Sequence, residues 1–214
     1  MIFLPDDIIS FPPVEKANRV GLLAVGGNLS VETLLLAYKS GIFPWYSGNE
    51  PILWWSPDPR FVIFPDQLLV SKSMRKIILR NEFEVRMNTS FEKVISLCAK
   101  VKRKGQPGTW ITDDMQASYL EFHKKGFAIC GEAWQNEKLV GGFYGIQMGK
   151  CFFGESMFSL IPNASKVAFL SYAEKFFQSG GKLIDCQVYT PHLESLGAEM
   201  ISRELFCGIV KENC

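Results

Sequence analysis

The amino-acid sequence predicts an α+β fold, with a small N-terminal domain over residues 1–62 and a larger C-terminal domain over residues 63–214. Capped, helix-period segments dominate up to residue 125. From Phe127 the apolar residues alternate or run in short blocks between two-residue turn signals, which reads as a meander of strands. Between residues 43 and 60 lies a stretch too rich in proline and tryptophan for a long helix. Helices followed by strands, rather than strict alternation, point to α+β.

Ser30 precedes a helical run over 31–40, with Gly41 as its stop. Phe43-Pro-Trp-Tyr46 and the segment from Pro51 to Arg60 read as a rigid aromatic loop region. A strand over 60–64 ends at Pro65. Ser71, Ser90 and Thr112 stand where they can cap helices over 72–80, 91–101 and 113–125, the last opening on Asp113 and Asp114 as suits a helix N-terminus. Strands follow over 129–135, 138–148 and 150–156, then a helix over 165–178 stopped by Gly180-Gly181, then a buried strand over 182–188. No internal repeat interrupts this order.

A chain of 214 residues with 47% hydrophobic and 21% charged residues can bury a sizeable core without staples. No apolar run approaches the roughly 20 residues of a membrane span, and Met1–Pro5 is followed at once by Asp6 and Asp7, so the expectation is a cytoplasmic protein. Six cysteines without Cys-x-x-Cys spacing and two distant histidines give no zinc pattern and read as free thiols. Phosphate-loop and dinucleotide fingerprints are missing, so no metal and no cofactor is expected. The net charge of +1 conceals a basic middle, where residues 72–104 hold 10 basic and 3 acidic side chains. Lys72, Arg75, Lys76 and Arg80 keep to one helical side, either a solvated surface or an anion-binding face.

Two apolar segments carry isolated polar groups. Glu155 sits within Cys151-Phe-Phe-Gly-Glu-Ser-Met-Phe158, and Asp185 and Gln187 sit within Leu183-Ile-Asp-Cys-Gln187, where alternation turns both to one face. An unpaired buried carboxylate is costly, so such placement signals either a satisfying partner or a function. Ser156 and Ser159 have no evident histidine base, and His192 reads as a loop histidine. Trp45, Trp54, Trp55 and Trp110 are either core residues or stacking platforms for exposed bases.

Seven blocks, from Gly21-Leu-Leu-Ala-Val-Gly-Gly through Ala37-Tyr-Lys-Ser-Gly-Ile-Phe-Pro-Trp45, Ile52-Leu-Trp-Trp-Ser-Pro-Asp-Pro-Arg60, Gly108-Thr-Trp-Ile-Thr112, Gly154-Glu-Ser-Met-Phe-Ser159 and Asn163-Ala-Ser-Lys166 to Gly181-Lys-Leu-Ile-Asp-Cys-Gln187, closely resemble the bacterial leucyl/phenylalanyl-tRNA protein transferases. The resemblance implies an N-acetyltransferase-like (GNAT-like) C-terminal domain. It also implies transfer of Leu or Phe, and less well Met, from aminoacyl-tRNA to the N-terminal amine of acceptor proteins beginning with Arg or Lys. That modification marks the acceptor for degradation by the N-end rule. No cofactor and no membrane are involved, and the enzyme is expected to act as a monomer.

By the same resemblance Asp185 and Gln187 activate the amine and Glu155 helps to hold the substrates. Phe143, Phe152, Met157, Phe169, Tyr172, Phe176 and Ile184 form the side-chain pocket, while Tyr38, Trp45, Trp110 and Tyr119 surround the 3′-terminal adenosine. The tRNA backbone lies along Lys72, Arg75, Lys76 and Arg80. Here Ile77-Ile-Leu79 replaces basic residues expected in the family, and Lys100-Val-Lys-Arg-Lys104 can compensate. Two rivals are an acyl-CoA-dependent N-acyltransferase and a non-catalytic RNA-binding module. For the first, Gln178-Ser-Gly-Gly181 leads into a strand and lacks the final Gly or Ala of a pyrophosphate loop.

Overall fold

Two β-sheets and the helices between and around them organise the chain in a computed structural model that describes residues 2–6, 10–48, 50–101 and 109–214. Lys102, Arg103 and Lys104 of the basic run, with Gly108 and Asp7, lie outside the described residues. The first sheet is built from β1 (Ile2–Leu4), β2 (Leu22–Gly26), β3 (Phe43–Pro44) and β4 (Leu53–Trp55), in the order β1-β2-β4-β3. Helix α1 (Val31–Lys39) joins β2 to β3.

The stretch expected to be irregular is thus partly a hairpin. Pro44 is tolerated because β3 is an edge strand, where a missing N–H costs no ladder bond. Trp54 is a core residue that meets Phe11 edge to face and donates Nε1–H to the Gly26 carbonyl. Trp55 donates to the Trp45 carbonyl and braces that residue.

After β5 (Arg60–Ile63) come α2 (Lys72–Leu79), β6 (Glu84–Met87), α3 (Phe91–Lys100), α4 (Asp113–Lys124), β7 (Ala128–Gln135), β8 (Lys138–Met148) and β9 (Cys151–Ser159). The chain closes with α5 (Ala164–Gln178), β10 (Leu183–Gln187), α6 (Pro191–Glu194), β11 (Glu199–Ile201) and α7 (Arg203–Asn213). The large sheet runs β11-β5-β10-β9-β8-β7-β6, with β9 and β10 parallel and its other pairs antiparallel. The expected boundary at residue 62 falls inside β5, which belongs wholly to this sheet.

Both faces of the large sheet are covered, which explains the block-apolar texture of its strands. Val62, Tyr144, Ile146, Phe153 and Leu183 pack with α1, α3, α4, α7 and the small sheet. Their neighbours Phe61, Ile63, Phe143, Phe152 and Ile184 point the other way, towards α2 and α5. Ile77 and Ile78 of α2 pack against that second cluster. Those two positions serve the core, whereas Lys72, Arg75, Lys76 and Arg80 stay exposed.

Local signals set the helix starts. Ser30, Ser71 and Thr112 each accept the amide three residues on, from Thr33, Met74 and Met115. Ser90 makes no such bond. Glu132 of β7 instead pins the turn ahead of the helix, accepting the Thr89 and Ser90 amides at 2.7 Å each, the Trp134 indole N–H at 2.8 Å and the Thr89 hydroxyl.

Candidate active site

Strands β9 and β10 pair only where Leu183, Ile184 and Asp185 lie beside Cys151, Phe152 and Phe153. Beyond that point each strand carries an irregularity. The register of β9 on β8 slips between Gly154 and Ser156, leaving Glu155 as the extra residue. That of β10 on β5 slips between Asp185 and Gln187, and Gln187 takes a left-handed φ of 64°. Such a conformation costs a non-glycine residue about 1–2 kcal/mol, and strain of this kind clusters at functional sites. The parted strands open on a cavity of about 380 Å³ that Glu155, Asp185 and Gln187 all line.

Alternation along β10 predicts Asp185 and Gln187 side by side, and the bulge changes that. Asp185 turns inward, fully buried, and accepts from Arg60 of β5 through Nε at 2.9 Å and Nη2 at 2.6 Å. The Arg60 guanidinium lies 4.6 Å from the Phe43 ring and 4.5 Å from the Phe206 ring, so two aromatic faces enclose the ion pair. Gln187 donates its backbone N–H to Asp185 Oδ1 at 2.8 Å and its side-chain Nε2–H to Glu155 Oε1 at 2.9 Å. Asp185 therefore fixes Gln187 through the backbone, and the carboxamide reaches Glu155. Sequence reasoning missed Arg60; the one available signal was that a buried aspartate needs a cation.

Glu155 has no basic partner among the described hydrogen bonds and ion pairs. It accepts from Tyr38 Oη at 2.8 Å, Tyr119 Oη at 3.2 Å and Gln187. Burial pushes its pKa up to about 8, the nearby Asp185 charge adds to the rise, and the three donors oppose it. A carboxyl group poised near neutrality can hold or release a proton under working conditions.

The expected adenosine set divides in two. Trp45, 38% exposed, and half-buried Trp110 line the cavity, where their rings remain reachable. Tyr38 and Tyr119 do not offer stacking faces, a correction to the expectation. Both are at most 1% exposed, Tyr38 packed on Phe122 and Phe153 and Tyr119 on Tyr144, and only their hydroxyls point to the site.

Of the expected pocket residues, Phe143, Phe152, Met157, Phe169 and Ile184 line the cavity. Tyr172 and Phe176 pack directly behind this lining. Tyr172 packs 4.8 Å from Phe152, Phe176 stacks on Tyr172 at 5.6 Å, and the Tyr172 hydroxyl is tied to Gln147. Phe43, Thr190, His192 and Leu193, given no role from sequence, are also among the lining residues. Glycines seat the rings, since a Cβ at Gly131 would stand 2.2 Å from Phe143 and one at Gly145 would stand 2.4 Å from Phe152.

Residues 62–211 match the family described as leucyl/phenylalanyl-tRNA protein transferase, and residues 27–58 match its N-terminal domain. The chain belongs to this transferase family. A leucyl/phenylalanyl-tRNA protein transferase of Flavobacterium johnsoniae is 54% identical over 211 residues, covering 99% of each chain. One from Myxococcus xanthus is 55% identical over 92% of this chain and 84% of its own, and one from Pseudomonas fluorescens is 50% identical over 96% and 92%. Membership agrees with the resemblance carried by the seven sequence blocks.

Proposed function

We propose that this transferase moves Leu or Phe, and less well Met, from the 3′ end of charged tRNA to the N-terminal amine of proteins beginning with Arg or Lys. The observation that carries the reading is one cavity whose lining combines aromatic rings, a carboxyl and carboxamide at its parted strands, and two tryptophans. Phe143, Phe152, Met157, Phe169 and Ile184 take the transferred side chain, with Tyr172 and Phe176 fixing the rings behind them. A pocket of this shape admits unbranched or γ-branched side chains and rejects β-branched ones by contact. Trp45 and Trp110 stack the terminal adenosine. Lys72, Arg75, Lys76 and Arg80 meet the phosphate backbone further along the tRNA.

The aminoacyl ester is already activated, so the enzyme's task is to juxtapose ester and amine and to manage a proton. Gln187 orients the amine, Asp185 and Arg60 hold Gln187 in its strained conformation, and Glu155 handles the proton. We read the large sheet and its helices, from β5 onward, as the acetyltransferase-like catalytic domain, supported by the parting of parallel β9 and β10 around the cavity. The small N-terminal domain supplies Tyr38 and Trp45. Action as a monomer in the cytoplasm, feeding degradation, completes the proposal.

The deciding experiment mixes the protein with tRNA charged with labelled Leu or Phe and a peptide beginning in Arg. Label should enter that peptide and not its N-acetylated counterpart. Equal labelling of both, or of neither, refutes the reading.

A further inference from the structure

His192 of α6 is half-buried in the cavity lining, yet its ring makes no hydrogen bond or ion pair among the described residues. The other histidine shows the contrast. His123 Nδ1 meets the Ala128 carbonyl at 2.7 Å, and its ring stacks on Phe91 at 4.2 Å. The backbone under His192 is nonetheless fixed. Pro191 opens the short helix, the Thr190 hydroxyl accepts the Leu193 N–H at 3.2 Å, and the Ser195 hydroxyl donates to the His192 carbonyl at 2.6 Å. A pinned turn thus presents to the cavity an imidazole whose ring nitrogens are uncommitted.

The other titratable groups of the lining are spent or shut in. Glu155 accepts from Tyr38, Tyr119 and Gln187, and Asp185 accepts from Arg60 and the Gln187 N–H. Tyr144 lies against Phe91 and Tyr119, and burial holds the Cys186 thiol well above its ordinary range. Taking up a substrate proton at either carboxylate disturbs donors already in place. At His192 it disturbs none.

The balance of the reaction calls for such a group. An α-amine of pKa about 7.7–8.0 arrives mostly as ammonium at neutral pH. As the C–N bond forms and the C–O bond to the ribose breaks, the nitrogen sheds two protons and the ribose oxygen gains one, so each transfer releases one proton to solvent. We propose that His192 is a catalytic base that takes the first proton from the arriving ammonium and passes it to water, freeing the nitrogen lone pair to attack the ester carbon. The second proton, exchanged between nitrogen and ribose oxygen, stays with Glu155. This step rests on the transferase reading above.

The charged surroundings suit the role. Besides Glu155, Asp185 and Cys186 in the shared lining, Lys166 of α5 acts on His192, and Glu194 on its own helix is exposed and accepts the Tyr189 hydroxyl at 2.8 Å. Burial and Lys166 both lower the proton affinity of His192, which leaves the ring neutral and able to accept at neutral pH.

Transfer of labelled Leu from charged tRNA to a peptide beginning in Arg, followed against pH, tests the assignment. With a pKa near 8, about a tenth of the amine is neutral at pH 7. Without its base the enzyme depends on that fraction, so kcat/KM of His192→Gln should be about tenfold below wild type at pH 7 and should converge on wild type above about pH 8.5. Charged-tRNA affinity and melting temperature should match wild type, because the ring bonds nothing in the protein. A loss equal at every pH marks a wall residue and overturns the proposal, as does no loss. Lys166→Gln provides a second measurement should His192→Gln not fold. Removing that charge raises the proton affinity of His192, so the acid limb of the wild-type profile should move to higher pH; a limb that stays or moves down overturns the proposal. A wild-type protein that labels no peptide takes the transferase reading down as well, whereas a labelling wild type matched by His192→Gln refutes the base alone.

Discussion

Replacing Arg60 by Met tests how the site is held. Arg60 and Asp185 are 1% and 0% exposed and joined by two bonds of 2.9 and 2.6 Å, so the variant leaves a buried carboxylate without its cation. Breaking such a pair by removing one partner costs about 3–5 kcal/mol. The methionine chain keeps much of the apolar contact with Phe43 and Phe206, so most of the loss is electrostatic. At about 2–4 °C per kcal/mol for a chain of this size, the melting temperature should fall by roughly 6–20 °C. Asp185→Leu alone should behave similarly, because it strands the guanidinium. The double variant should recover most of the stability, since apolar replacement of both partners of a buried pair is often neutral or better. Aminoacyl transfer should not return, because the Gln187 amide has lost its acceptor. Thermal and urea unfolding of the two singles and the double complete the cycle. A loss under about 1 kcal/mol in Arg60→Met, or strictly additive singles, refutes the argument.

Trp45→Ala or Trp110→Ala should weaken binding of charged tRNA by about 1–3 kcal/mol per lost base stack, read by filter binding, and equal affinity would remove the tryptophans from the site. Lys72→Glu/Arg75→Glu should lower tRNA affinity whatever the amino acid carried and flatten the salt slope by about two phosphate contacts. Gly131→Ala places a Cβ 2.2 Å from Phe143, so that ring must tilt and transfer of Phe should suffer more than transfer of Leu in competition assays. The raised pKa of Glu155, about 8, means the folded state holds a proton that the unfolded chain releases near 4.5. Stability from this group is complete below about pH 4.5 and disappears as pH rises through about 8; in Glu155→Gln, melting temperatures across that interval should vary less with pH.

The helices were legible because their determinants are local: a hydroxyl at the cap and apolar residues at helical spacing. Even there, Ser90 stood in the right place without capping, and the turn ahead of the helix is pinned by Glu132, some forty residues away. The hairpin of β3 and β4 was hidden by Pro44, whose tolerance depends on edge position, a fact of sheet order rather than of sequence. The C-terminal helix had Ser202 as its cap but a short, mixed pattern behind it. At the site, alternation found Asp185 and Gln187 and mistook their relation, because period-two reasoning fails at a bulge and a left-handed residue. The residue types of Tyr38 and Tyr119 could not say whether ring or hydroxyl would be presented. Arg60 was illegible as a partner, since nothing local joins residue 60 to residue 185.

The cage around the Arg60–Asp185 pair has a temporal consequence. Its parts enter at positions 43, 60, 185 and 206, so the first charge is synthesised long before the second, and the last aromatic wall arrives later still, within α7. Non-local contacts of this kind close late, after the entropy of the intervening loops has been overcome. The nascent chain can form its early helices, but Gln187 gains its full anchor only once Phe206 has been made and packed on Arg60. Competence for transfer thus arrives as a single late event, and a chain cut short before α7 carries the cavity's residues without the clasp that orders them.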